Sequence, residues 1–253
     1  MTREVSSTID RCELTHLART PIDLARARRQ HHAYEACLAA CGCTVERLEE
    51  IDLPDAVFVE DTALVLDDLA IIARPGAASR RGETTTVAAA LAPLRRLGRI
   101  ESPGTLDGGD VLVVDRALYV GRSGRSNDAG IDQLRALVEP FGYRVEPVEV
   151  HGCLHLKSAV TQVGDRALLI QRPWVDARRF EGFDLIDVAP GEEAGANALR
   201  IGGIVVYPTD YPRTAQRLAD RGFEIVAVEI SEFAKAEGGV TCCSLIVRDP
   251  GRA

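Results

Sequence analysis

A cysteine, a histidine and a set of carboxylates recur at matching points of this chain, and together they could cleave a bond at an electrophilic carbon. Cys242 follows Thr241 and a Gly238-Gly239 pair. Glycines let backbone come close to a bound molecule, and a thiol placed there suits a nucleophile. His155, in His155-Leu-Lys-Ser158, falls at the equivalent point of another unit and supplies the general acid–base that such a nucleophile needs. Cys243 is adjacent and, by strand alternation, is expected to point the other way. The acids form two groups: Asp55, Glu60 and Asp61 within one segment, and Asp107 and Asp110 bracketing two glycines. One of the second pair is expected to orient the histidine or the substrate. Acids ahead of an apolar strand are costly unless paired or bound to a cation. Several carboxylates beside a thiol suit a planar, nitrogen-rich cation, and a guanidinium fits because it pairs bidentately with carboxylate. Arg80-Arg81 and Arg125 sit in loops, where an arginine can grip a substrate carboxylate. Singly, each of these residues reads as a buried thiol, a satisfied histidine, a turn or a solvated loop. Their recurrence at one phase of a repeat argues for convergence on one axis.

The repeat is two apolar strands, a helix, a glycine and another apolar strand. Gly42, Gly98, Gly142, Gly182 and Gly222 mark the helix ends. In the first helix Thr20 is read as N-cap and Pro21 as N1, and Gly42 as the C′ stop. Later hairpins are expected at Val57–Val65 with Leu69–Ala73, 111–114 with 117–120, 159–163 with 167–170, and 198–201 with 204–207. Helices are expected over Thr84–Leu97, from Asn127 to Phe141, over a short stretch at 174–180, and over Tyr211–Arg221. The hairpin starts lie about 40–50 residues apart, the range of propellers and solenoids. Asn197 and Thr241 head the fourth and fifth units. The fifth unit lacks a partner strand, and Met1–Ser6 is the natural one. Pairing of the two would close a ring and leave no bare sheet edge. The expectation is a single α/β domain over residues 1–253, a five-bladed propeller of ββαβ units.

Composition narrows the partners. The chain has 253 residues, 46% of them hydrophobic, and a formal net charge of −8. That disfavours nucleic acid and anionic membranes. No apolar run approaches the ~20 residues of a membrane span, and Met1-Thr-Arg-Glu opens no secretory signal. Seven cysteines, an odd number, are expected as free thiols in a reducing cytoplasm. Cys37, Cys41 and Cys43 lack zinc-site spacing.

Five motifs taken in order resemble the dimethylarginine dimethylaminohydrolase family: Leu53-Pro-Asp-Ala-Val-Phe-Val-Glu-Asp61, Arg74-Pro-Gly-Ala-Ala-Ser-Arg-Arg81, Thr105-Leu-Asp-Gly-Gly-Asp110, His155-Leu-Lys-Ser158 and Gly239-Val-Thr-Cys-Cys-Ser244. The resemblance runs from about Thr2 to Val247. It implies the five-bladed α/β propeller of the guanidino-group-modifying, or pentein, superfamily. By the same resemblance Cys242 is the nucleophile, His155 the general acid–base and Asp107 its supporting acid. Asp55, Glu60 and Asp61 surround the guanidinium and amino group, and Arg80 and Arg125 hold the amino-acid end. Leu14 is the lid leucine, and Ala236 offers a backbone carbonyl. The implied reaction converts N-methylated arginine to citrulline and an alkylamine, without metal or organic cofactor, though zinc could bind the Cys/His pair as an inhibitor. The small guanidino molecule is the partner expected, and assembly is left open between a monomer and a homodimer. Two rivals are weighed: a deiminase of free arginine or a related guanidine, disfavoured by the chain length, and a non-catalytic propeller like the ribosome anti-association factor, which would not need the Cys/His/acid set.

Overall fold

The computed structural model describes residues 1–248; the last residues of the expected single domain, 249–253, lie outside them. The chain runs through β1 (Thr2–Arg3), α1 (Leu24–Ala40) and β2 (Arg47–Leu48) before four further units. These are β3 (Ala63–Val65), β4 (Leu69–Ile72), α2 (Thr84–Leu91) and β5 (Arg96–Arg99); then β6 (Val111–Val114), β7 (Ala117–Arg122), α3 (Asp128–Val138) and β8 (Arg144–Glu149). The next unit opens on a short helix, α4 (Leu156–Ala159), and continues as β9 (Val160–Gly164), β10 (Ala167–Ile170) and β11 (Asp184–Asp187). The last is β12 (Leu199–Ile201), β13 (Ile204–Pro208), α5 (Pro212–Asp220), β14 (Glu224–Val228) and α6 (Ser231–Ala234).

Every three-stranded sheet has the same pattern. Its first pair is antiparallel and its second parallel, as in Val111↔Val120 followed by Val120↔Pro147. A tight turn can join antiparallel strands, whereas a parallel pair needs a crossover, here a helix. The unit with β9–β11 uses two single 3-10 turns instead, Arg172–Trp174 and Ala177–Phe180. The helix expected at 174–180 is therefore absent as an α-helix.

The ends close the ring. The Met1 ammonium donates to Leu245 O, and Leu245 N–H donates to Met1 O, both at 2.9 Å. β1 then pairs in parallel with β2 through Thr2↔Arg47. The fifth blade is thus assembled from both ends of the chain, with α1 as its helix. The structure is a five-bladed α/β propeller.

The core is split to match. Five apolar clusters occupy the five junctions between neighbouring blades. Leu64 and Ile71 meet Leu118 and Leu134 at one junction, and Val163 and Leu169 meet Val205 and Tyr207 at another. Each blade therefore buries its two faces against different neighbours, and no blade has a complete core alone. The first strands of the blades face a central channel of about 870 Å³.

Four local expectations need correction. α1 is capped by Asp23, whose carboxylate accepts Arg26 N–H, so the helix starts later than Thr20-Pro21; an aspartate satisfies an orphan amide and complements the helix dipole. The strand expected over Val57–Val65 begins only at Ala63. Val59–Thr62 is a 3-10 turn, closed by the Thr62 hydroxyl on Val59 O at 2.6 Å. α2 ends at Leu91, just before Pro93, which has no N–H to extend it. Gly98 is consequently no helix stop: it lies within β5, paired to Ile71. The other four marker glycines do end helical segments in the left-handed region, with φ from +78° to +92°, which favours glycine.

His31, on α1, is fully buried among aromatic rings, and neither ring nitrogen has a hydrogen-bond partner among the described residues. Burial pushes its pKa below 6.5, against the pull of Glu35. The folded state therefore refuses a proton that the unfolded chain accepts, so stability is intact above pH 6.5 and is lost as pH falls below it. Each unit of depression is about 1.4 kcal/mol. His31→Phe should melt above the wild type by a margin that widens between pH 7 and pH 5; parallel melting curves would refute the assignment. No helix among the described residues is long and apolar enough to cross a membrane.

Candidate active site

Four of the blade starts bring their polar residues to one end of the ring. His155 sits at the N-cap of α4, extended and 4% exposed. Its Nε2 lies 3.0 Å from Asp107 Oδ2, and its Nδ1 lies 3.8 Å from Asp61 Oδ1. Asp107 is itself held: its Oδ1 accepts Gly76 N–H, and its own N–H donates to Ser126 Oγ. The two glycines after Asp107 are required by space. A Cβ on Gly108 would stand 2.0 Å from Glu60 O, and one on Gly109 would stand 2.6 Å from His155 Nδ1. Gly109 N–H also donates to Asp61 Oδ1 at 2.9 Å. The Asp-Gly-Gly-Asp run is thus a close-approach element between two blades.

Asp110, at its far end, is buried and joins three segments. It accepts the hydroxyls of Ser123 and Ser126 and the N–H of Leu156. Asp107, not Asp110, faces the imidazole with its carboxylate.

Cys242 lies in a turn beneath the same cavity. Its Sγ accepts Gly239 N–H at 3.2 Å, and its carbonyl accepts Glu60 N–H. Cys243 points into an apolar junction and is 2% exposed. The two thiols do diverge, although the segment is a turn rather than a strand.

Charge separates their roles. Burial pushes the Cys242 thiol up to about 12, and Glu60 and Asp61 push the same way; Gly239 N–H and Lys157 oppose them. Burial disfavours a charged His155, but Asp61, the hydrogen bond to Asp107, and Asp110 outweigh it and raise its pKa to about 9. Burial likewise opposes an ionised Asp61, yet His155 and Arg80 hold it down at about 2. At neutral pH the site therefore holds a thiol and an imidazolium. Asp61, Asp107 and His155 stand within 4.8 Å of one another. Two carboxylates, an imidazolium and the Arg80 guanidinium balance one another there.

The cavity over these groups is about 20 Å³, room for about one water. Asp55, Asp61, Arg125, His155, Ala236 and Cys242 line it. Asp55 is occupied, its two oxygens accepting Glu13 N–H, and burial raises its pKa. Arg125 has one guanidinium nitrogen on Thr15 Oγ1, while its buried Nη1 has no partner among the described residues. Its loop packs so closely on Gly76 that a Cβ there would lie 2.5 Å from Arg125 O.

Three expected site residues take other positions. Arg80 reaches the cavity wall, but its nitrogens are spent on Asp61 at 2.6 Å, on both oxygens of Glu83 and on Phe58 O. It anchors Asp61, and most of its N–H groups are directed to the wall and not to the cavity. Glu60 turns away from the cavity to Lys157 Nζ at 2.5 Å and Thr241 Oγ1 at 2.7 Å, next to the central channel. Leu14 packs partly buried on the adjoining core instead of lining the cavity.

Two residues absent from the expected site stand at its entrance. Glu13 and Glu237 both line the cavity. Glu237 has a φ of +58°, and its carboxylate accepts the successive N–H groups of Thr15, His16 and Leu17. The loop carrying Leu14 is thereby tied to the turn that lines the cavity. The Gly238-Gly239 pair flags the turn that presents Glu237, but nothing local marks a glutamate in the left-handed region.

Known proteins sharpen this picture. The family model for N,N dimethylarginine dimethylhydrolase, eukaryotic, matches residues 6–247. The N(G),N(G)-dimethylarginine dimethylaminohydrolase of Streptomyces coelicolor is 45% identical over 239 residues, covering 93% of this chain and 92% of that protein. This chain belongs to the dimethylarginine dimethylaminohydrolase family. Another relative of that name, from Pseudomonas aeruginosa, is 36% identical over 242 residues, with 94% of each chain covered. Structures from the family superpose closely. A cysteine-to-serine variant of the Pseudomonas aeruginosa enzyme complexed with citrulline has a TM-score of 0.91 at 33% identity, covering 96% of each chain. A histidine-to-glycine dimethylarginine dimethylaminohydrolase carrying an adduct with S-methyl-L-thiocitrulline matches with the same TM-score at 34% identity. The N-terminal domain of ArgZ, a cyanobacterial arginine dihydrolase, shares the fold with a TM-score of 0.86 at 19% identity.

Proposed function

We propose that the protein hydrolyses the guanidino group of an N-methylated arginine, releasing citrulline and an alkylamine. The observation that carries this reading is one small cavity lined by a half-buried thiol, an imidazolium, four carboxylates and an arginine with an unpaired nitrogen. Asp61 and Asp55 take the cationic end of the substrate, and Arg125 takes its carboxylate. An arriving guanidinium places positive charge beside Cys242, which favours the thiolate, and the thiol proton leaves to solvent. The sulfur attacks the guanidinium carbon. His155, already protonated, gives its proton to the departing amine and leaves a covalent thiouronium. The now neutral imidazole takes a proton from one water. That water attacks the same carbon, the C–S bond breaks, and the hydroxyl proton of the collapsing intermediate passes to the departing sulfur, so that neutral citrulline forms and the resting thiol is restored. No residue outside the chain is required to balance the step.

Amine release measured in parallel on arginine, monomethylarginine and asymmetric dimethylarginine tests the substrate class. Preference for the methylated pair is expected; turnover of arginine alone would make the protein a deiminase instead. Arg125 offers a separate test. Arg125→Ala should raise KM for amino-acid substrates at least about tenfold, the scale of a lost charge-assisted pair. Decarboxylated guanidines should be unaffected, and equal effects on both would remove Arg125 from carboxylate binding.

A further inference from the structure

We propose that Asn197 is a positioning residue that holds the nucleophile segment and the general acid–base segment in register; this rests on the reading that Cys242 and His155 carry the reaction. Asn197 begins the fourth blade, is 8% exposed and does not line the cavity. Its amide makes three bonds to two other blades. Nδ2 donates to Lys157 O at 3.0 Å and to Thr241 Oγ1 at 2.9 Å, and Oδ1 accepts Thr241 N–H at 3.0 Å. The Thr241 N–H can only donate, so it fixes which way the amide faces. One side chain thus grips the residue before Cys242 at both its backbone and its hydroxyl, and also the backbone two residues after His155.

Two further features tie this amide to the thiol. The Thr241 hydroxyl donates onward to Glu60 Oε2, and Glu60 Oε1 meets Lys157 Nζ. Asn197, Thr241, Glu60 and Lys157 therefore form a closed cycle of polar contacts drawn from four blades. Gly239, whose N–H donates to Cys242 Sγ, approaches the amide so closely that a Cβ on it would lie 2.3 Å from Asn197 Oδ1. The glycine pair ahead of Cys242 accordingly makes room for Asn197. A displacement near 1 Å between reacting groups costs about 10²-fold in rate, so an inter-blade clasp at this point acts on turnover without touching substrate.

The test measures kcat, KM and melting temperature for Asn197→Leu and Gly239→Ala. It also measures the rate at which a cationic haloamidine alkylates Cys242, followed by mass spectrometry at that residue. Asn197→Leu keeps the volume and removes all three bonds; Gly239→Ala keeps Asn197 and displaces it. Both should lose about 10²-fold in kcat per folded molecule, with KM within about threefold, and both should alkylate more slowly. An unchanged kcat per folded molecule, or a loss that only follows the melting temperature, would overturn the proposal. So would a rise in KM at constant kcat. If Asn197→Leu does not fold, Gly239→Ala decides. If the wild type releases no amine from any methylarginine, the functional reading falls while the alkylation comparison still judges the clasp.

Discussion

Cys242→Ser should abolish turnover, and Cys243→Ser should keep most of it. The two thiols are neighbours in sequence but face different surroundings. Cys242 lines the cavity under His155 and accepts Gly239 N–H, whereas Cys243 is packed among apolar side chains. A serine at 242 is too weak a nucleophile for the covalent step. A serine at 243 places a hydroxyl in an apolar junction, a cost of about 1–3 kcal/mol that lowers the melting temperature and leaves kcat alone. Activity in the first variant and none in the second would reverse the assignment. The same thiol should be neutral in the free protein, since burial, Glu60 and Asp61 all oppose its charge. Its ultraviolet thiolate signal should be absent at pH 7. A cationic amidine alkylator should then inactivate much faster than neutral iodoacetamide, beyond their difference in intrinsic reactivity. A thiolate already present at pH 6 would sink this and point to a preformed ion pair.

His155→Gly should cost about 10²–10⁴-fold, the usual range for a lost general acid–base. Attack by the sulfur does not require the imidazole although departure of an amine does, so with S-methyl-L-thiocitrulline, whose thiolate leaving group needs no proton, the adduct should form and then persist. Mass spectrometry of the quenched variant should find added mass on Cys242. A normal rate with no adduct would remove His155 from the mechanism. The pH profile adds a signed test. The raised pKa keeps His155 charged at neutrality, and the donor form is lost as pH rises through about 9. Asp107→Asn removes the carboxylate 3.0 Å from Nε2 and should move that alkaline limb down toward 6.5, the ordinary histidine value. An unmoved limb would mean that Asp107 does not tune the proton.

Most of the ring was readable because its signals are local. Apolar pairs such as Val111–Val114 and Ala117–Val120 announce a hairpin. Gly142 and Gly222 follow helical segments because the chain must turn left-handed there. Even the closure of Met1 on the last blade follows from counting unpartnered strands. What was missed depends on distant groups. Val57–Thr62 is apolar enough for a strand, but Glu60 and Asp61 have to reach Lys157 and Arg80, and a 3-10 turn points them there. No local pattern reveals that Glu83 and Asp61 pair with Arg80. Glu237 gave no signal because its partners, Thr15 to Leu17, lie more than two hundred residues away.

The bond between Met1 and Leu245 spans 244 positions, and it sets the order in which the molecule can be completed during synthesis. At about 5–20 residues per second, the first strand waits roughly 10–50 s for the residues that cover its edge. For that interval a growing chain carries an open end of the ring, and Cys242 has not yet been made. A product that stops short of Cys242 should therefore be inactive and expose a free strand edge at the same time. Competence and protection against aggregation are expected together, once the segment from Cys242 to Leu245 has emerged.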